Sequence, residues 1–169
     1  MDTAYKTTLE LDKVLNRAVQ LCACQETKEM MQALEPAPTI EDERYDLTQT
    51  NAINALLIKN GSPRFGSVRE VRRIVAHARK GGILSMGELL EIAATLRNFS
   101  GLSQWYGLSE HEMLPTDDLF FALAPQPVLE KQISESIISP EEMADTASVT
   151  LHDLRRKIRQ TEDSIRTKL

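Results

Sequence analysis

Five basic side chains between residues 69 and 80 are the best candidates for a chemical role in this sequence. Seven Lys or Arg residues and one Glu lie between Lys59 and Gly82, although the whole chain has a net charge of −5. At about 100° per residue along a helix, the five cations between residues 69 and 80 fall on one side, where they suit contact with nucleic-acid phosphates. The same cluster also fits a solvated face that pairs with acidic neighbours. Its members are Arg69, Arg72, Arg73, Arg79 and Lys80.

Residue patterns typical of catalytic or metal sites are absent from the sequence. Gly61 and Gly66 have the spacing of the glycines in a phosphate-binding loop, but Ser67 stands where that loop requires lysine. No histidine has a cysteine or a second histidine at metal-ligand spacing. The sequence therefore predicts no catalytic residue, no metal site and no cofactor in this chain. The three histidines are His77, His111 and His152.

The cysteines and the distribution of apolar residues indicate the cellular compartment of the protein. Cys22 and Cys24 are too close in sequence for an ordinary disulfide and are typical of small, half-buried apolar residues in a reducing environment. Met1–Ala4 has no basic-then-apolar signal pattern, and no stretch approaches the roughly 20 apolar residues of a membrane span. We predict a cytoplasmic protein without a membrane partner.

The elements that must position these residues are helices. Aromatic residues make up only 5% of the chain, and seven Gly and seven Pro leave room for long helices. Apolar spacing predicts a helix from Leu11 to Cys22 and another from Gln25 to Leu34. Thr39 is expected to cap a third helix that runs to about Lys59, with Gly61 just past its end.

The middle of the chain carries the strongest local signal. Val68, Val71, Val75 and Ala78 predict a short helix that ends at Gly81–Gly82. After it, Ser85 and Glu88 form a capping box, and Leu84 and Leu89 have the spacing of a hydrophobic staple. The helix that begins here continues through Phe99 and is expected to end near Gly107.

The stretch between residues 115 and 148 is less regular. Pro115–Thr116 opens a short helix, and another follows through Val128 and Ile133. From Ile137 to Ser148 the residues do not decide between two structures. Ser139–Pro140 suits a helix start with proline in the first helical position, and it equally suits a type I turn between two extended runs.

The last helix carries an apolar stripe close to a heptad seam. Ser148 is expected to cap it, and so narrow a stripe requires a partner helix. We therefore expect that residues 148–169 begin a longer helix or coiled coil of a bigger protein, and that residues 1–147 form the helical domain before it. The seam consists of Leu151, Leu154, Ile158 and Ile165.

Four stretches, in order and at the right spacing, resemble a known family. Together they cover nearly the whole chain and are similar to the N-terminal region of the MutS-two family, bacterial paralogues of the mismatch-repair protein MutS that usually end in an Smr nuclease domain. The stretches are Leu9–Leu15, Gly61–Gly66, Lys80–Ser85 and Asp145–Ser148 ahead of Leu151 and Arg155–Arg156.

The resemblance implies several properties that the residues alone do not. Residues 137–148 would form a short β-hairpin within a helical core, and the last helix would lead into a lever and clamp. An ATPase with ATP and Mg²⁺, through which the parent forms a homodimer, and the Smr endonuclease would lie downstream. The parent would bind DNA, ribosomes or both, and would act in suppression of recombination and in ribosome rescue.

The sequence as a whole predicts an elongated all-α domain with a protruding C-terminal helix. It would be a non-catalytic module that couples a clamp to the downstream ATPase. Two alternatives remain at this stage: a direct nucleic-acid-binding module that uses the basic helix face, and a protein-interaction or dimerisation module that uses the terminal seam.

Overall fold

The described part of the protein is built from α-helices and one small β-hairpin. The computed structural model describes residues 8–64, 66, 68–108 and 110–168. The start at Met1–Ala4, positions Phe65 and Ser67 of the glycine loop, and Leu169 lie outside the described residues. Within the described part, the helices in chain order are α1 Leu11–Leu21, α2 Gln25–Gln32, α3 Ile40–Asn60, α4 Arg72–Arg79, α5 Met86–Tyr106, α6 Asp117–Phe121, α7 Pro127–Ser136 and α8 Val149–Lys168.

Helices α3 and α5 begin at the side-chain caps that the sequence predicts. The Thr39 hydroxyl oxygen accepts a hydrogen bond from the backbone N–H of Asp42 at 3.1 Å. At the start of α5, the backbone N–H of Ser85 donates to Glu88 Oε2 at 2.7 Å, and Glu88 N–H donates back to Ser85 Oγ at 3.3 Å. Each such cap satisfies a helix donor that would otherwise lack a partner. The capping box is therefore confirmed.

The ambiguous stretch after residue 137 forms the hairpin. Strand β1 (Ile137–Ser139) pairs antiparallel with β2 (Glu142–Met143), with Ile137 opposite Met143 and Ser139 opposite Glu142. A 3₁₀ turn at Asp145–Ala147 connects the hairpin to α8. The prediction of an all-α domain with a short hairpin is confirmed, because the rest of the described secondary structure is helical.

The described chain divides into two units. The first comprises residues 1–70 and 98–124, and the second comprises residues 71–97 and 125–169. In the first unit, the main apolar cluster consists of Leu56 of α3 and Trp105 and Tyr106 of α5, with Phe120 of α6 packed against them. Trp105 and Tyr106 therefore fill the core of this unit, in agreement with their interpretation as core residues.

The second unit has its own apolar cluster. Ala93 of α5, Ile133 of α7 and Ile137 of β1 are buried together, and Leu89 and Leu90 of α5 pack beside them. Helix α8 lies in this unit, next to the 3₁₀ turn. The predicted domain boundary between residues 147 and 148 stays a prediction. No helix among the described residues is long and apolar enough to cross a membrane.

Candidate functional site

The apolar stripe on α8 is open to solvent over most of its length. Leu151, next to the hairpin, is half-buried. The other three members, Leu154, Ile158 and Ile165, are between 52% and 57% exposed. Four apolar side chains in line on one helix face bury little when the helix stands alone, so their exposure leaves hydrophobic free energy unused. The stripe is thus a surface on which a second helix is able to pack.

The base of α8 is fixed by polar contacts that the sequence did not reveal. Arg155 donates to the Met143 carbonyl at 2.8 Å and forms an ion pair with Asp145. Arg159, one turn later, donates from Nη2 to Asp145 Oδ2 at 2.8 Å. Ser148 Oγ accepts from Leu151 N–H at 3.1 Å, which confirms the predicted cap. We call the carboxylate of Asp145 and the guanidinium groups of Arg155 and Arg159 the Asp145 fork.

The fork holds the start of the helix by charge rather than by burial. Arginine presents a planar set of donors that suits a carboxylate, and two arginines at i and i+4 point to the same side of a helix. The 3₁₀ turn brings Asp145 under that side. The first turns of α8 are therefore tied to the hairpin, whereas residues 156–167 are exposed.

We expect the Asp145 fork to open in acid. Hydrogen bonds from Arg155 and then Arg159 hold the pKa of the Asp145 carboxyl below its usual value. A depressed folded-state pKa contributes stability above the unfolded value of about 3.9, and this contribution is lost as the pH falls through the folded value. Asp145→Asn should abolish the acid transition of the Arg155 and Arg159 guanidinium resonances in an NMR pH titration.

A matched variant isolates the effect of the fork. Asp153 lies on the same helix and forms a weaker, exposed ion pair with Arg156 at 3.7 Å. Asp153→Asn should leave the Arg155 and Arg159 resonances and their pH dependence unchanged. A transition that persists in Asp145→Asn would contradict this assignment.

The basic cluster lies before, on and just after α4, and two details of the predicted helix are wrong. The helix begins at Arg72, so Arg69 lies in the preceding loop and is not placed by helical periodicity. The buried apolar residue of this helix is Ile74, and the predicted Val75 is exposed instead. Because Ile74, Val75 and Ala76 are consecutive, sequence spacing did not identify which of them faces the core.

The cations on α4 nevertheless share a face. At about 100° per residue, Arg72, Arg73 and Arg79 fall within a third of a turn, on the side opposite Ile74, and Lys80 directly follows the last residue of the helix. All four are exposed. Arg72 has a partner, as does Arg69. The side chains of Arg73, Arg79 and Lys80 form no ion pair with any residue that the structure describes.

The polar contacts in the first unit are structural. Tyr106 donates its hydroxyl proton to Asp117 Oδ1 at 2.7 Å and lies 2.9 Å from Thr116 Oγ1. Burial is the main reason why the pKa of Tyr106 is raised. Asp117 Oδ2 also accepts from the backbone N–H of Leu114 at 3.1 Å. These bonds satisfy the polar groups around the Trp105–Tyr106 core, as buried polar atoms require.

No group of His, Cys, Asp or Glu able to hold a metal ion occurs among residues 8–168 outside the three positions that are not described. The two cysteines are half-buried thiols, and a hydrogen bond with Thr27 lowers the pKa of Cys24. The three histidines lie apart in sequence, and the structure gives none of them a metal-ligand partner.

Comparison with known proteins extends along nearly the whole chain. No family model matches it. Endonuclease MutS2 of Ruminiclostridium cellulolyticum is 31% identical over all of the chain, and that of Acetivibrio thermocellus is 30% identical over 95% of it. Endonuclease MutS2 of Clostridium beijerinckii is 29% identical over 95% of the chain. The chain spans about a fifth of the length of these relatives. It is therefore related to the MutS2 endonucleases and corresponds to one part of such a protein.

Proposed function

We propose that this chain is a non-catalytic structural module that couples a clamp to the ATPase of a longer MutS2-like protein. In this proposal, α8 is the first part of a lever, and its apolar stripe packs against another helix of the longer protein. The observation that carries the proposal is the combination of a firmly tied base and an open stripe on the same helix. A helix held at one end moves as a rigid body, which is how helices transmit discrete conformational changes.

The activities of the longer protein belong to the same proposal. We infer a cytoplasmic homodimer that binds ATP and Mg²⁺ in a downstream ATPase domain and carries a separate endonuclease domain. Its substrates would be DNA, ribosomes or both, in suppression of recombination and in ribosome rescue. The names of the relatives support the endonuclease, and the resemblance of the sequence supports the remainder. The module itself would contribute positioning and no chemistry.

Hydrogen–deuterium exchange in the longer protein tests the lever. We expect the α8 amides beyond Leu154 to exchange at least about tenfold more slowly in the longer protein than in the isolated chain, because a packed stripe suppresses local opening. The double variant Leu154→Asp and Ile158→Asp should remove this protection. Exchange that is equal in the two proteins would overturn the proposal.

The matched control lies on the opposite face of α8. Gln160 and Ser164 are exposed, are also four residues apart, and point away from the stripe. The double variant Gln160→Asp and Ser164→Asp adds the same charge and should retain the protection. Loss of protection in both variants would mean that charge, not the apolar contact, controls the exchange.

A second candidate function is direct binding of a nucleic-acid backbone by the basic face of α4. The specific observation in its favour is the exposure of Arg73, Arg79 and Lys80 without an ion pair in the described part of the chain. Binding should weaken steeply with added salt, because each phosphate contact releases counterions.

Charge reversal tests this second candidate. We expect Arg73→Glu with Arg79→Glu to raise the dissociation constant of the isolated chain for duplex DNA about tenfold or more and to reduce its salt dependence. The control, Arg17→Glu with Arg44→Glu, makes the same charge change at exposed positions of α1 and α3. If the wild-type chain does not bind DNA or RNA at low salt, or if both variants lose binding equally, the basic face has no such role.

A further inference from the structure

The first unit contains an apolar groove whose side chains neither core uses. It lies between α1 and α3 and is also lined by the linker before α3, with a volume of about 830 Å³. Leu11 and Leu15 line it from α1, and Leu47 lines it from α3. Leu34, Ile40 and Leu47 are exposed there.

The charges along the groove have one sign. Three of the residues that line the groove are acidic, and its lining contains no Lys, Arg or His. Glu43 Oε2 accepts a hydrogen bond from the backbone N–H of Ala37 at 3.3 Å. The Asp46 carboxylate is exposed and has no hydrogen bond or ion pair with any described residue. An occupant would gain most by bringing apolar side chains to the floor and cations to the rim.

The backbone of the linker disfavours an extended peptide because its middle offers no free donor. Pro36 and Pro38 have no N–H group, and the N–H of Ala37 between them already donates to Glu43. The other walls are helices, whose backbone groups pair within themselves. A strand laid in the groove would find no donor for its C=O groups at Pro36, Ala37 or Pro38, and burying carbonyl groups without partners is costly. A helix satisfies its backbone internally and needs only side-chain contacts.

We propose that this groove binds an amphipathic, positively charged helix of a protein partner. Leu or Ile side chains spaced at i, i+3 or i+4 and i+7 would occupy the apolar floor, and flanking Lys or Arg residues would pair with Asp46 and its acidic neighbours. The inference does not depend on the lever proposed for α8, because it uses only residues of the first unit.

Fluorescence anisotropy with designed peptides tests the proposal on the full 169-residue chain. The probe is a labelled helix of about four turns, with Leu on one face and Lys beside it. The two comparison peptides are the same helix with Glu in place of Lys and a rearranged sequence of the same composition without an apolar face. We expect saturable binding of the Leu/Lys helix alone, and binding that weakens with salt.

Variants of the chain identify the site. Asp46→Lys should raise the dissociation constant of the Leu/Lys helix about tenfold, since it replaces an attraction with a repulsion. Glu112→Lys makes the same charge change at an exposed position outside the groove and should alter the dissociation constant less than about twofold. Leu154→Asp with Ile158→Asp on α8 should bind the peptide normally, which separates this test from that of the lever.

Three results would overturn the proposal. The first is the absence of saturable binding of the Leu/Lys helix at millimolar concentration. The second is equal affinity for the Leu/Glu helix or for the rearranged peptide. The third is an equal effect of Asp46→Lys and Glu112→Lys when circular dichroism shows that both variants are folded.

Discussion

Trp105→Ala should destabilise the protein by about 3–5 kcal/mol, the largest effect expected of any single substitution in the first unit. Trp105 is only 6% exposed and packs against Phe120, with ring centroids 6.1 Å apart. Truncation would leave a cavity beside Leu56 and Phe120 in the core of the first unit. Because domains of this size are stable by about 5–15 kcal/mol, the loss would be a large fraction of the total.

Packing, rather than the lost hydrogen bond, dominates this effect. The indole N–H of Trp105 donates to the Gly61 carbonyl at 2.8 Å. Gly61 is exposed, so water is able to replace this donor at a net cost of only about 1 kcal/mol. The same reasoning predicts that Trp105→Phe, which keeps most of the ring volume and loses the N–H group, is considerably milder than Trp105→Ala.

Urea unfolding followed by circular dichroism measures the change. Fluorescence is unsuitable because Trp105 is the only tryptophan in the sequence. The control is Phe121→Ala on α6, where the side chain is 74% exposed and the expected change is within about 0.5 kcal/mol. If Trp105→Ala and Phe121→Ala cost the same, the core assigned to the first unit is wrong.

Ile133→Ala should lower the midpoint of thermal unfolding by about 5–15 °C. Ile133 is 7% exposed and lies between Ala93 of α5 and Ile137 of the hairpin. The substitution removes three carbon atoms from the centre of this cluster, and the neighbouring Ala93 is too small to fill the space. The hairpin should lose protection from hydrogen exchange as well, since Ile137 anchors it to the same cluster.

Ile138→Ala provides the comparison within the same segment. Ile138 is 63% exposed and follows Ile137 on the opposite face of strand β1. Its truncation should shift the midpoint by no more than about 2 °C. Equal shifts of the unfolding midpoint for Ile133→Ala and Ile138→Ala in differential scanning calorimetry would contradict the alternation of buried and exposed side chains along β1, on which the apolar cluster of the second unit depends.

The helix boundaries were predictable where a cap and a stop signal coincide. Thr39 with Asp42 marks the start of α3, and Gly61, which has a φ of 72°, follows its end. That backbone region favours glycine, so the signal and its physical cause are the same. The Ser85–Glu88 box likewise marks the start of α5 because its hydrogen bonds lie within a single turn.

Features that depend on distant residues were not predictable from the residues alone. The hairpin was undecided because Pro140 suits a helix start as well as a turn. The burial of Ile137 against Ala93, more than forty residues earlier, favours the strand. The Asp145 fork also has no local pattern, since it requires the 3₁₀ turn that places Asp145 beneath Arg155 and Arg159. The exposed stripe of α8 was proposed from its spacing, but its role as a lever stays a prediction.

The three members of the Asp145 fork should differ in how well α8 tolerates their substitution. If Arg159 is lost, Arg155 still engages both the carboxylate and the Met143 carbonyl; if Arg155 is lost, Arg159 still engages the carboxylate. Loss of one arginine therefore leaves an ion pair between the other arginine and Asp145. The fork contains no second acid that is able to replace Asp145. Substitution of Arg155 or Arg159 alone should therefore preserve the orientation of the helix, whereas substitution of Asp145 should disturb it. One short side chain in a 3₁₀ turn thus governs the direction of a twenty-residue helix.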